Sequence, residues 1–285
     1  MPAFATTAAA QQPDLHIAPP GWGRMALELR APWEFGTLLP AWPALQRAPR
    51  GDGHRVVVYP GLTAGDVTTL PLRKYLDSLG YTTHGWSQGL NLGPRRGVMA
   101  AGKAQLLDLL AQSDAPLSLV GWSLGGIYAR ELAKELLQEH AAQRSKIVVP
   151  IRSIITLGTP FAGGPRSTNA WWLYELTSGR EAQREGAKYQ LGHAPSVPTS
   201  SIYSRSDGVV AWQASVQTAQ AHNPHTENIE VRASHCGIGI NPSAWWAVAD
   251  RLAQPLGRWQ AFQKPALSGL QNLVYPDPER KLTAF

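Results

Sequence analysis

The chain has 285 residues, 44% of them hydrophobic and 16% charged, so a sizeable core is expected and pervasive disorder is excluded. The formal net charge is +6, but no long Lys/Arg block and no nucleic-acid-binding motif goes with it, so no nucleic-acid partner is expected. Cys236 is the only cysteine, which excludes an intramolecular disulfide, and no run of about twenty apolar residues marks an integral membrane span.

Residues 1–23 are rich in Ala, Thr, Gln and Pro and read as a loose arm. Met1 to Ala10 lack the basic and long apolar regions of a signal peptide, and a cytoplasmic location is expected. Residues 24–50 hold Trp33, Phe35, Trp42 and several prolines. A short helix is expected around Met25–Leu29, and the segment is expected to pack on the core or the site mouth. Residues 1–53 are thus an arm and packing segment, 54–254 the core, and 255–285 a Pro-rich tail.

His54–Tyr59 carries three consecutive valines, the pattern of a parallel strand buried on both faces. Pro60-Gly61-Leu62 ends it. Thr68, Thr69 and Pro71 mark a helix start, Leu72, Tyr75, Leu76 and Leu79 repeat at helical spacing, and Gly80 stops the helix. Tyr81–Trp86 reads as a second strand, a Gly/Asn/Pro/Arg loop spans Gly89–Gly97, and Leu106, Leu109 and Leu110 mark another helix. Pro116 opens the next strand.

That strand runs through Gly121-Trp122-Ser123-Leu124-Gly125-Gly126 into a helix whose Gly125, Ala129, Leu132, Ala133 and Leu136 share one face. A strand entering a helix through G-x-S-x-G is the nucleophile-elbow pattern. The glycines allow a sharp turn, and Ser123 stands at the strand's carboxyl end over free helix amides. A strand is then expected to end at Gly158-Thr159-Pro160. Residues 161–198, with Trp171, Trp172 and Tyr174, break the rhythm and read as a lid or cap insertion. Ser200–Tyr203 resumes as a strand ending in Ser206-Asp207-Gly208. Ile229–Ala233 is another, ending at Ser234-His235-Cys236-Gly237, and Pro242 opens a last helix.

Strands and helices alternate, which predicts an α/β fold with one open, mostly parallel sheet flanked by helices. Pro60-Gly61, Ser123, Asp207 and His235 all fall at predicted strand carboxyl ends, where such sheets bind ligands. A serine hydroxyl needs a base, and the base an orienting carboxylate. Ser123, Asp207 and His235 supply them in the chain order this architecture uses. His222 and His225 read as turn residues, and two histidines without a third ligand make no metal site. His84 and His193 precede Asp207 and fit the order poorly. Asp66 reads as a loop or cap residue, and Cys236 as a small buried residue at a strand end. The Leu124 amide, with that of Leu62 and Thr63 as runner-up, is the candidate oxyanion donor set.

These motifs resemble the α/β-hydrolase superfamily, and within it lipase- and esterase-like serine hydrolases. The resemblance spans roughly residues 54–254 and rests on Tyr-Pro-Gly-Leu at 59–62, Gly-Trp-Ser-Leu-Gly-Gly at 121–126, Leu-Gly-Thr-Pro-Phe at 157–161, Ser-Asp-Gly-Val-Val at 206–210 and Ser-His-Cys-Gly at 234–237. It departs at Pro60, where many lipases carry His, and at Trp122, where many carry His or Tyr. The resemblance implies hydrolysis of small hydrophobic carboxylic esters through an acyl-enzyme, with no cofactor and no metal. It implies Ser123, Asp207 and His235 as the triad, and Trp122, Trp171 and Trp172 as substrate-binding residues. A thioesterase, amidase or acyltransferase would use the same triad. A non-catalytic binding protein of this fold would show a broken one, whereas all three positions are filled here. The oligomeric state is not legible.

Overall fold

The computed structural model describes residues 17–113, 115–142, 149–163, 167–169, 190–266 and 271–277. Among these, six strands form one sheet: β1 (Arg55–Tyr59), β2 (Thr82–Gly85), β3 (Leu117–Trp122), β4 (Ile151–Leu157), β5 (Thr199–Tyr203) and β6 (Thr226–Glu230). Their order is β2-β1-β3-β4-β5-β6, and every neighbouring pair is parallel.

Successive strand residues point to opposite faces, which accounts for the run of valines in β1. Val56 and Val58 join one core with Leu72, Tyr75 and Leu76 of α4 (Asp66–Ser78) and Trp245 and Val248 of α8 (Pro242–Leu252). Val57 and Tyr59 join a second core with Leu106 and Leu109 of α5 (Val98–Ala111) and Leu132 and Leu136 of α6 (Leu124–Ala142). Both faces of the sheet are therefore covered. Tyr75 and Trp245 stack across the first core with ring centroids 5.1 Å apart.

Connectivity fixes where a site can form. The chain adds β2 beside β1, then α5 carries it back past β1 to β3 on the other side. Strand order reverses between β1 and β3, and the carboxyl ends of strands at such a reversal are where open parallel sheets bind ligands.

Three sequence expectations shift. The helix after β1 starts at Asp66, so Pro71 lies inside it. The last strand covers Thr226–Glu230, not Ile229–Ala233, and His235 instead opens a short helix, α7 (His235–Ile238). Residues 22–45 are more helical than expected, with α1 (Trp22–Ala26), a 3-10 turn (Leu27–Arg30), α2 (Ala31–Gly36) and α3 (Leu38–Leu45). The segment packs on the first core through Leu38 and Leu45 and through Trp42, whose ring meets Tyr75 edge-on with centroids 6.0 Å apart. Trp33 is 83% exposed and Phe35 52% exposed, while Leu38 and Leu45 are buried. Inward polar contacts of Glu28, Arg30 and Glu34, described below, set which side of this segment faces out. A ninth described helix, α9 (Gln271–Val274), follows, and the neighbouring Tyr275 is buried in the first core. Among the described residues no helix is long and apolar enough to cross a membrane.

Candidate active site

The turn from β3 into α6 holds Ser123 at φ 52°, a left-handed conformation that L side chains rarely adopt. Two hydrogen bonds brace it. The Ser123 N–H donates to the Leu157 carbonyl at the end of β4 (2.8 Å), and the Gly126 N–H donates to the Ser123 carbonyl (3.0 Å). Gly125 makes the approach of β1 possible: a Cβ there would lie 2.4 Å from the Tyr59 carbonyl oxygen and 2.6 Å from that of Pro60. The strained backbone thus leaves the Ser123 side chain half-buried at the carboxyl end of β3.

Asp207 follows β5 and is 3% exposed. Its Oδ1 accepts from the backbone N–H groups of Val209 (2.8 Å) and Val210 (2.7 Å), which locks the carboxylate plane. Its Oδ2 accepts from Nδ1 of His235 at 2.7 Å. On the other side of the ring, Nε2 lies 2.9 Å from Ser123 Oγ. The three residues, drawn from the ends of β3, β5 and β6, are therefore joined in one hydrogen-bonded chain. Burial by itself would push the His235 imidazole down. The charge of Asp207 and its hydrogen bond, joined by the charge of Glu28, outweigh it, so the imidazole is held above its ordinary value.

The loop after β1 faces the serine. A Cβ on Gly61 would lie 3.4 Å from Ser123 Cβ. The Thr63 N–H donates to the Asn91 carbonyl at 2.7 Å and is not available to a ligand. Among the described residues, the N–H groups of Leu62 and Leu124 have no partner. Asn91 is fully buried and ties the loop down. Its Nδ2 donates to the Pro60 carbonyl (2.8 Å), and Tyr128 donates to its Oδ1 (3.1 Å).

Trp122 lies under the histidine loop. Its indole N–H donates to the His235 carbonyl (3.1 Å), and its ring packs against the first core beside Gly61 and Gly239. Trp171 and Trp172 lie outside the described residues, as does most of the expected insertion. Asp66 is a structural residue at the start of α4, accepting from the N–H groups of Trp86 (2.9 Å) and Ser87 (3.0 Å). His222 lies 2.7 Å from the Ala194 carbonyl through Nε2. Cys236 is exposed rather than buried, because it sits in the first turn of α7 and not in a strand. Its thiol is pushed up to about 11, by desolvation and then by the Glu28 carboxylate, so it is not a thiolate at neutral pH.

A second Ser–His–Asp set sits at the opposite end of the sheet. His54 Nδ1 is 2.5 Å from Asp52 Oδ1, and its Nε2 is 2.9 Å from Ser118 Oγ. Ser118 has no exposed surface, lies within β3 beside a register shift against β4 but without a left-handed φ, and also meets Ser153 Oγ at 3.1 Å. Side-chain identity does not separate the two sets. Strain, exposure and free neighbouring amides do, and all three select Ser123.

Two residues with no signal in the sequence approach the site from the N-terminal segment. The Glu28 carboxylate accepts from the backbone N–H groups of Gly208 and His235, both at 2.8 Å, and of Cys236 at 3.0 Å. Glu34 accepts from the Ser234 N–H (2.8 Å) and hydroxyl (3.0 Å) and from Arg30 Nε (2.7 Å). Arg30 in turn donates to Ser206 Oγ at 2.7 Å. A contact spanning some two hundred residues leaves no local pattern by which to find it.

No protein-family model matches the chain, and no curated protein sequence does. Solved structures do. The chain is similar to lipase B of Aspergillus fumigatus, with a TM-score of 0.53 and 17% identity over 72% of this chain and 53% of that one, about half the lipase's length. It is similar at a lower level to Est1E of Butyrivibrio proteoclasticus, with a TM-score of 0.46 and 15% identity over 66% of this chain and 81% of that one. A third likeness is to an α/β serine hydrolase without a lid from Xanthomonas campestris, with a TM-score of 0.44 and 15% identity over 71% of this chain and 83% of that one. At such identities the likeness speaks for the fold alone.

Proposed function

We propose that this chain, which has the α/β-hydrolase fold, is a serine hydrolase that cleaves carboxylic esters with hydrophobic acyl groups. The observation that carries the reading is the continuous Ser123–His235–Asp207 chain, at 2.9 and 2.7 Å, on a strained turn at the strand-order reversal. His235 Nε2 takes the Ser123 proton as Oγ attacks the ester carbonyl. Asp207 keeps the Nδ1 proton in place and stabilises the imidazolium. The carbonyl oxygen, now negative, is held by the unpartnered Leu62 and Leu124 amides. Collapse of this tetrahedral species breaks the bond to the alkoxy oxygen, which leaves as the alcohol with the proton from His235. Water then attacks the acyl-enzyme, giving its proton to His235, and Ser123 Oγ leaves with that proton as the acid is released. The half-buried Leu62 and Leu124 beside the nucleophile suit a hydrocarbon acyl group, and Trp122 is proposed as a further contact to it. Trp171 and Trp172 are proposed as further pocket residues.

The test is hydrolysis of p-nitrophenyl acetate, butyrate, octanoate and palmitate by wild type and Ser123→Ala. Wild type is expected to turn over esters longer than acetate, and Ser123→Ala to lose at least about a thousandfold in kcat. Equal activity in the two proteins would overturn the assignment of Ser123. Activity falling steadily from acetate onward would overturn the preference for hydrophobic acyl groups.

A further inference from the structure

We propose that Glu28 is a positioning residue of the triad, a carboxylate that staples the loop bearing Asp207 to the loop bearing His235 and adds negative charge beside the imidazole. The proposal rests on the serine-hydrolase reading above. Its geometry, though, stands on its own.

The loops after β5 and β6 carry the acid and the base, and they meet through the Val231 N–H on the Tyr203 carbonyl (2.9 Å), the Ala233 N–H on Ser204 Oγ (3.2 Å) and Ser206 Oγ on the Ala233 carbonyl (3.2 Å), all short of Asp207 and His235 themselves. Glu28 bridges them directly. One oxygen, Oε1, accepts from both Gly208 N, next to the acid, and His235 N, the base itself, while Oε2 accepts from Cys236 N. Three backbone donors converge on one side chain from a segment remote in sequence. Charge-assisted hydrogen bonds of this kind are roughly twice as strong as neutral ones.

The fit is built into both loops. A Cβ on Gly208 would lie 2.2 Å from the Arg24 carbonyl oxygen, and one on Gly237 would lie 1.5 Å from Glu34 Oε2. Gly208 therefore sits where the backbone of the N-terminal segment presses against the acid's loop, and Gly237, in α7, leaves room for the Glu34 carboxylate. A segment resting loosely on the surface would not require a glycine at 208. Asn169 closes the same region, donating through Nδ2 to the Pro20 carbonyl and the Gly208 carbonyl, both at 2.9 Å.

The electrostatic consequence follows from the groups facing the ring. Asp207 contacts Nδ1 and Ser123 contacts Nε2. Glu28 touches the His235 amide, Glu34 holds the preceding Ser234, and Arg30 pairs with Glu34 at 2.7 Å. The Cys236 thiol, pushed up to about 11, is neutral near pH 7. Glu34 is thus matched by Arg30, whereas among the described residues Glu28 meets backbone amides and the neutral Cys236 thiol, and its charge favours the imidazolium that forms in the transition state.

The imidazole of His235 is followed by proton NMR through its downfield Nδ1 proton, assigned by its absence in His235→Gln. Wild type, Glu28→Gln, Glu28→Asp and the distant control Glu139→Gln are compared. Hydrolysis of p-nitrophenyl butyrate is measured on the same samples, with circular dichroism to check folding. Glu28→Gln is expected to lower the imidazole pKa by about half a unit or more and to cut kcat about tenfold with KM nearly unchanged. Glu28→Asp, which keeps the charge on a shorter arm, falls between wild type and Glu28→Gln. Glu139→Gln matches wild type. A folded Glu28→Gln with unchanged titration and kcat would overturn the proposal, and so would a titration shared by Glu139→Gln. If Glu28→Gln does not fold, Glu28→Asp decides by the same two readings. Absence of Ser123-dependent hydrolysis in wild type would instead sink the hydrolase reading, and the imidazole titration would still decide the role of Glu28.

Discussion

Asp207 presents its two oxygens to different partners, and that division makes a sharp test. Oδ1 accepts from two backbone amides and Oδ2 from the imidazole. Asparagine has one acceptor oxygen. In Asp207→Asn the two fixed amides claim it, so the NH2 group faces Nδ1 and forces the proton onto Nε2. That tautomer cannot take the Ser123 proton. The variant is expected to fold, to keep KM, and to lose about 10³–10⁴ in kcat, read from steady-state hydrolysis of p-nitrophenyl butyrate. Ser123, Asp207 and His235 were legible in the sequence because each sits in a short motif whose order the chemistry dictates. Glu28 was not, because nothing around Leu27-Glu28-Leu29 distinguishes an inward carboxylate from a solvated one. The second set, Asp52–His54–Ser118, shows the converse: the same side-chain chemistry arises at a site with no strain and no access.

At the scale of elements, the elbow depends on backbone-to-backbone approach between α6 and β1. Gly125→Ala would place a methyl group against the Tyr59 and Pro60 carbonyl oxygens, at 2.4 and 2.6 Å. Neither is the movable end of a side chain, so the start of α6 and the β1 loop must separate. The expected loss is about 3 kcal/mol, at the upper end of the usual overpacking cost, measured by urea denaturation. Because the displaced loop carries Leu62, kcat should fall even where the variant is fully folded. If kcat were unchanged in folded protein, the loop after β1 would not be part of the catalytic machinery. The elements themselves were largely readable, since periodicity reports burial and the two-faced core imposes it on β1, β3, β4 and α4. The last strand was misplaced by three residues because Val231 and Ala233 are buried in the loop after β6 and mimic a continued strand. Beyond the short helix expected around Met25–Leu29, the helices of residues 22–45 carry little signal for the opposite reason. Their sequence holds apolar residues on several sides, and α3 is fixed by Leu38 and Leu45 in the first core while the turns before it are fixed by polar contacts to distant loops.

For the molecule as a whole, the two ends of the sheet answer to pH in opposite senses. At the carboxyl end, His235 is held above its ordinary value. It contributes stability that is present below the unfolded value and lost as pH rises through the folded one. At the amino end, His54 is buried and bridges β1 to β3 through Ser118. Desolvation first, helped by the charge of Arg152 and opposed by Asp52, holds it below its ordinary 6.5. The unfolded chain then binds more protons than the folded one at mildly acid pH, so stability falls as pH drops from 6.5 toward the folded value. Asp52 adds to the same trend at lower pH. Burial opposes its ionisation, but the hydrogen bonds from Arg152 and His54 and the charge of His54 hold it far below the usual carboxylate range. His84, also lowered by desolvation, acts in the same direction. Comparing wild type with His54→Asn between pH 7.5 and 5.5 reads the His54 contribution, because Asp52, whose own shift depends on His54, titrates below that window. His54→Asn is expected to be less stable at pH 7.5, where the bridge to Ser118 is lost. Between pH 7.5 and 5.5 it should lose less stability than wild type, since it has no imidazole there to protonate. Urea midpoints at the two pH values measure both differences. Equal losses in the two proteins would mean that His54 accepts its proton in the folded state as readily as in the unfolded chain, and that the amino end of the sheet does not limit acid stability.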